Sequence, residues 1–459
     1  MGMSDSIESR VRAAGVAIAE HEPGVNALIT DCTDTALEAA RSMDALIASG
    51  RDVGLLAGMT MLIKDNINTA GIRTTSGAAF FAEHVPNQDA PVVARLRQAG
   101  AVILGKSTLH EFAFGIRSHN SVSGQCHNPW DLSRIPGGSS GGSGAAVAAN
   151  YCLGALGTDT GGSVRLPASF CGISGLRPTV DRVPNTGSTP VCPTQDTIGP
   201  MARSVSDVAK IFAVIANPSR AQQRGAGNGP AQAPDLDNFL PALDAGIAGL
   251  RIGVPTNMYL EGMESSVGAA LHDALRQLES LGATLVDIAV PGAEEMHQWA
   301  TIVIFADACD FHAERLQHEA QRFDPQVRER MSVGQSYTAV DYSRAMRMRE
   351  RWQGTLGEVF ETVDVIASPT VHTLIPPVVD DKSLLEATKD ATRNTYAGAF
   401  GQVPGLSIPC GYSSDGLPVG LQLEAAWWNE ATLLRAGRAY QNITDWHLQV
   451  PPHGAALIK

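Results

Sequence analysis

The chain has 459 residues, with Lys and Arg numbering 34 against 47 Asp and Glu, for a formal charge of −13. That excess of acid repels phosphate backbones and anionic bilayers, so neither nucleic acid nor a membrane is an expected partner. The longest apolar runs, such as residues 299–309, are too short to span a bilayer, and seven scattered cysteines with no Cys-x-x-Cys spacing point to reduced thiols in a cytoplasmic chain.

In chain order, Leu37, Ala40, Met43 and Ile47 recur at helical spacing, so residues 36–47 predict a helix that Gly50 and Gly54 end. Residues 55–63 read as a strand delivering Lys64 at its end, where open α/β sheets place functional side chains. Asp89-Ala90-Pro91 opens a short helix, Gly100 stops it, and Ala101-Val102-Ile103-Leu104 continues as a buried strand. Ala145-Ala146-Val147-Ala148-Ala149, directly after a glycine–serine tract, predicts a close-packed helix. Helical patterns follow at 206–216 and 265–281, the second with Gly282 after its end, and apolar strands at 251–254, 284–290, 363–368, 406–409 and 419–423. This alternation argues for an α/β fold layered around a mixed sheet. Residues 218–234, rich in Ala, Gln, Gly and Pro without an apolar period, read as a surface loop.

Three segments carry candidate chemistry: Lys64-Asp65-Asn66, Pro136-Gly137-Gly138-Ser139-Ser140-Gly141-Gly142-Ser143, and Gly157-Thr158-Asp159-Thr160-Gly161-Gly162-Ser163-Val164-Arg165. A serine hydroxyl is a weak nucleophile until a base takes its proton, and a neutral lysine amine can be that base, directly or through a second hydroxyl. The apolar lead-in Met61-Leu62-Ile63 buries part of Lys64, which disfavours its ammonium form. Glycines beside both serines let backbone N–H groups approach a substrate oxygen. Residues 137–141 also satisfy G-x-S-x-G, the elbow that would make Ser139 the nucleophile, but the elbow needs an apolar strand before it, and residues 129–136 are polar and proline-bounded. The twelve histidines include no His-Glu-x-x-His, so no metal is expected. Phe112, Phe114 and Trp130 read either as walls of an acyl pocket or as core.

With Gly175-Leu176-Arg177-Pro178-Thr179, Asp196-Thr197-Ile198-Gly199-Pro200 and Gly416-Leu417-Pro418-Val419-Gly420-Leu421-Gln422, these segments resemble the amidase signature family, serine hydrolases that mostly cleave amide bonds with a Ser–Ser–Lys triad. The resemblance implies one layered α/β/α amidase signature domain across 1–459, with a helical segment at about 1–54, a catalytic core at about 55–217 and 364–459, and a less distinctive middle at about 218–363. It implies that Ser163 is acylated, that Ser139, held by a cis peptide, bridges it to Lys64, and that Lys64 exchanges protons with Ser139. The backbone N–H groups of Thr160, Gly161, Gly162 and Ser163 become the oxyanion hole, while Ser140, Asp159 and Arg165 support the loop. The resemblance also places the region of His110, His119 and His127 near the site, where they read either as its neighbours or as structural histidines. The implied activity is hydrolysis of small uncharged amides, extending to carbamates (urethanes) and esters, without cofactor or metal. The expected partners are the small-molecule substrate and at most a second copy in a homodimer. The alternative within the same family is the glutaminase A subunit of a tRNA-dependent amidotransferase. Such subunits commonly carry Gln-Pro after the nucleophile and arginine, where this chain has Leu166-Pro167, and the apolar replacement favours the amidase.

Overall fold

The computed structural model describes residues 6–216 and 239–456, so the loop expected at 218–234 lies outside the described residues. In chain order its strands are β1 (Leu28–Asp31), β2 (Thr60–Lys64), β3 (Val102–Ser107), β4 (His119–Asn120), β5 (Gly124–Gln125), β6 (Gly154–Asp159), β7 (Ser174–Arg177), β8 (Thr197–Ala202), β9 (Arg251–Pro255), β10 (Thr284–Ile288), β11 (Val365–Pro369), β12 (Gly405–Tyr412) and β13 (Pro418–Ala425). Eleven of them form one sheet in the order β1-β3-β2-β6-β8-β7-β12-β13-β11-β9-β10, and β4 and β5 make a separate ribbon. Strands β3, β2 and β6 run parallel, as do β11, β9 and β10 at the other end. The strands between these groups pair antiparallel. The α/β architecture around a large mixed sheet is the one expected.

Alternation along a strand sends successive side chains to opposite faces. On β2, Met61 and Ile63 join one core cluster, with Leu156, Ile198 and Phe212, while Leu62 joins another, with Leu104, Ala145 and Ala146 of the helix Gly141–Ala148. Lys64 continues this alternation on the side of Leu62, toward the glycine–serine tract. It ends β2 as Asp159 ends the parallel strand β6, so both stand at one edge of the sheet.

Most expected elements fall within a few residues of their positions. The strand expected at 55–63 is shorter, because Leu56 and Gly58 donate their N–H groups to Ala99 and Gly100 across a turn and only Thr60–Lys64 pairs in the sheet. The N-terminal segment contains two helices, Ile7–Val25 and Thr33–Ala48, and the Ser6 hydroxyl caps the first by accepting from Ser9 N–H. In the helix Ser265–Ser280 the cap is Glu264, whose carboxylate accepts from Ser266 and Val267. The middle of the chain supplies β9 and β10 to the main sheet, through pairing of β9 with β11. It also supplies the helices Ala293–Phe311, Pro325–Gln335 and Ala339–Thr362, which pack with Arg393–Phe400. Ile252 of β9 is fully buried in a core shared with Ala367, Leu406 and Leu423. Ile252→Ala is therefore expected to lower unfolding free energy by about 2–5 kcal/mol while leaving a single transition in denaturant. A separate early transition for the middle region would show that it folds as an independent lobe.

Candidate active site

Lys64 is fully buried, and its Nζ donates to Ser139 Oγ and to Thr158 Oγ1, each at 2.7 Å. Among the described residues no carboxylate pairs with it. Burial pulls its amine down to about 7, with the charges of Asp159 and Asp196 only partly opposing the shift. Desolvation therefore outweighs Coulombic attraction here, and the neutral amine becomes accessible near neutral pH. Thr158 Oγ1 also accepts from Asn66 Nδ2 at 3.3 Å, which steadies the hydroxyl on which the amine rests.

Ser139 follows a cis peptide bond from Gly138 and precedes the helix Gly141–Ala148, with no strand leading into it. That leaves the G-x-S-x-G match without its elbow. Ser140 fastens the tract to the second serine block: its N–H donates to Ser163 O at 3.2 Å, and its Oγ lies 3.2 Å from both the carbonyl and the N–H of Thr158.

The loop after β6 is held from beneath by Asp159, whose Oδ1 accepts from Gly162 N–H at 2.7 Å and whose Oδ2 accepts from Val164 N–H at 3.2 Å. Arg165 grips the same carboxylate through Nε and NH2 at 3.1 and 3.2 Å, and Arg177 NH1 lies 3.0 Å from its Oδ1. Burial works against the charge on Asp159, but the two guanidinium groups hold its carboxyl well below the ordinary carboxylate range. The Gly162 N–H, expected among the oxyanion donors, is directed to Asp159 in this structure. The N–H groups of Thr160, Gly161 and Ser163 meet no acceptor among the described residues. Gly162 adopts φ 135°, and a Cβ there would sit 2.5 Å from Thr395 Oγ1, so this position requires glycine. Thr160 Oγ1 donates to Asp196 Oδ1 at 2.5 Å, and burial raises Asp196 to about 6 against that hydrogen bond.

Ser163, Thr160 and Gly161 line a small cavity whose other walls include Phe114, Ile116, Val191, Ile304, Tyr396 and Arg330. Of the aromatics proposed as pocket walls, Phe114 lines it. Phe112 instead packs on His312 and Phe323, and Trp130 bonds Cys171 O and stacks edge-on with Tyr412. None of the three histidines weighed as neighbours bonds a triad side chain: His110 donates only its backbone N–H to Ser139 O, His119 faces Asp324, and His127 bonds Leu132 O. Asp65 turns away to Thr75 and Lys106. Among the described residues no cluster of three His, Cys, Asp or Glu side chains could hold a metal.

Several parts of the site had no assigned role in the sequence. Arg177 and Asp196 sit in quoted segments where they bound the strands β7 and β8, a visible place for a charged side chain, and Gln422 closes another quoted segment inside β13. Thr395, Tyr396, Arg330 and Glu424 come from helices or strands whose patterns carry no such mark. Leu166, which stands where amidotransferase subunits commonly carry Gln, is buried with Ile116 and Phe170 and does not line the cavity.

The model of the Amidase family matches residues 10–434. The A subunit of the glutamyl-tRNA(Gln) amidotransferase of Chloroflexus aurantiacus is 40% identical over 456 residues, spanning 94% of this chain and 92% of that one. Native peptide amidase from Stenotrophomonas maltophilia superposes with a TM-score of 0.83 at 30% identity, covering 98% of this chain and 95% of that one. A protein from a vestigial complex bearing on the evolutionary origins of an s-triazine catabolic enzyme superposes with a TM-score of 0.87 at 30% identity, covering 95% of each chain. With a family match across nearly the whole chain and relatives of this identity, the chain belongs to the amidase signature family.

Proposed function

We propose that this amidase-family hydrolase cleaves amides through an acyl-enzyme on Ser163, with Lys64 as base and Ser139 as relay. The observation that carries the reading is the buried Lys64 amine 2.7 Å from Ser139 Oγ, with no carboxylate among the described residues paired to it, beside a cavity lined by Ser163. Neutral Lys64 takes the Ser139 proton as Ser139 takes that of Ser163, whose Oγ attacks the carbonyl carbon. The oxyanion is met by the N–H groups of Thr160, Gly161 and Ser163. The proton held on Lys64 returns through Ser139 to the departing nitrogen, and water then releases the acid by the same relay. Carbamates and esters share the tetrahedral oxyanion and extend the substrate range.

Arg330 supports a revised substrate class. It is 3% exposed, lies 4.4 Å from the Phe114 ring centroid, and donates to Thr388 Oγ1 at 2.6 Å. Among the described residues its Nε has no partner, and no acidic side chain lines the cavity. A buried cation without an anion favours a substrate that brings one, rather than the uncharged amide expected from sequence. A second reading, glutamine hydrolysis as the A subunit of an amidotransferase, is supported by the 40% identical relatives of that name. Against that reading, a glutamine α-ammonium would find no carboxylate in the cavity wall.

Hydrolysis of succinamate, butyramide and glutamine by the purified chain separates these readings. Succinamate is expected to be preferred, and Arg330→Met to cut its kcat/KM by roughly 10–150-fold, the equivalent of a charge-assisted hydrogen bond of about 1.5–3 kcal/mol, with butyramide affected only a few-fold. Ammonia release from glutamine only on addition of the other chains of an amidotransferase would establish the second reading instead. A fluorophosphonate is expected to label Ser163, and Ser163→Ala to abolish labelling and turnover. Peptide mapping that puts the adduct on Ser139 would reject the assignment. Because the working form of Lys64 is the neutral amine, kcat/KM should be full above about pH 7 and fall by at least about tenfold per unit below it. A rate unchanged down to pH 5 would remove Lys64 as base.

A further inference from the structure

We propose that Glu424 is a positioning residue for acyl transfer, holding Arg165 and, through Arg165 and Asp159, the loop that presents Ser163. The proposal rests on Ser163 being the acylated residue. Glu424 belongs to β13, between Gly405 of β12 and Ile366 of β11, and its side chain is 4% exposed. Its Oε1 lies 3.3 Å from Arg165 NH1, which also donates to Gln422 Oε1 at 3.0 Å. The opposite side of the same guanidinium binds Asp159, and NH2 reaches Thr395 O at 3.2 Å. Arg165 is therefore stretched between β13 on one side and the base of the Ser163 loop on the other.

The helix Arg393–Phe400 is shaped around this carboxylate. A Cβ on Gly398 would collide with Glu424 Oε1, so only glycine leaves it room. The same helix carries Thr395, whose Oγ1 donates to Gly161 O at 2.5 Å, and Tyr396, whose ring packs where a Cβ on Gly161 would stand. Glu424 thus touches both supports of the loop, the guanidinium beneath it and the helix above.

Charge decides what this contact does. The groups facing Glu424 are Arg165 from its helix, Arg177 from β7, Asp159 from β6 and the Tyr259 hydroxyl. With Glu424 ionised, two guanidinium groups face two carboxylates and the island is neutral. With Glu424 protonated, one buried positive charge is unmatched and Arg165 loses its counter-pull. Asp159 keeps its charge throughout, whereas burial raises Glu424 to about 7 despite Arg165 and Arg177. Near neutrality Glu424 is the member of the island that changes charge. Two protonations, on Lys64 and on Glu424, then silence the site where a lone base would give one.

The test is the second-order rate of fluorophosphonate labelling across pH 5–9, which needs no knowledge of the substrate. In the wild type, the acid limb of the logarithm of that rate should approach a slope of two. Glu424→Gln, which keeps a polar partner but cannot ionise, should label about tenfold more slowly at pH 9 and show a slope of one. Glu424→Asp, shorter but ionisable, should retain the steeper limb at reduced rate. A slope of one in the wild type, or a limb unchanged by Glu424→Gln, overturns the proposal, as a merely structural carboxylate would leave the limb alone. Because Asp196 beside the loop is also raised to about 6, support comes from the loss of the steeper limb in Glu424→Gln with its retention in Glu424→Asp, and a wild-type slope of one overturns the proposal even if Glu424→Gln fails to fold. An adduct mapping to a residue other than Ser163 would instead reject the reading on which the proposal rests.

Discussion

Desolvation of one amine organises the site. A lysine in water at neutral pH is an ammonium and a poor base. Lys64 stands at the end of a fully buried strand, and among the described residues its polar partners are two hydroxyls and no carboxylate. An aspartate in place of Thr158 would bring more hydrogen-bond strength and less chemistry, because it would return the amine to its charged form. The carboxylates needed for stability are placed one layer away, where Asp159 serves two arginines.

That separation accounts for the large buried charge island behind the loop. Asp159 is adjacent in sequence to the loop and could only be tolerated without solvent if paired, so Arg165 and Arg177 surround it, and Arg165 in turn draws on Gln422 and Glu424. The loop backbone gains rigidity from this arrangement, since three of its N–H groups, those of Gly162, Val164 and Arg165, end on the same carboxylate. Fixed donors aimed at developing charge stabilise a transition state with little reorganisation, and here the carboxylate that fixes the loop also occupies the Gly162 donor.

The readable parts of the sequence were those where composition and period act locally. The apolar run before Lys64, the helix after the glycine–serine tract and the later strands follow from burial and period alone. Residues 55–59 misled because they are apolar enough for a strand while their hydrogen bonds go to the end of a neighbouring helix. Arg330 and Glu424 were not legible, since a charged residue in a helix or strand is ordinarily solvated and only the packed fold reveals that these two are not. Leu166 differs from its neighbour: Arg165 holds the loop, whereas the Leu166 side chain packs in an apolar cluster. Adjacency along a helix says little about which face meets a ligand.

The sheet order has a consequence for biosynthesis. Lys64, Ser139 and Ser163 all lie in the first half of the chain, yet β7 pairs with β12, and β12 and β13 with Gln422 and Glu424 are made almost last. Until they emerge, Arg165 has no partner on that side and β7 presents an open edge. Pairing β7 with β12 is therefore a long-range closure, which slows folding and leaves an unpaired edge open to other chains until it forms.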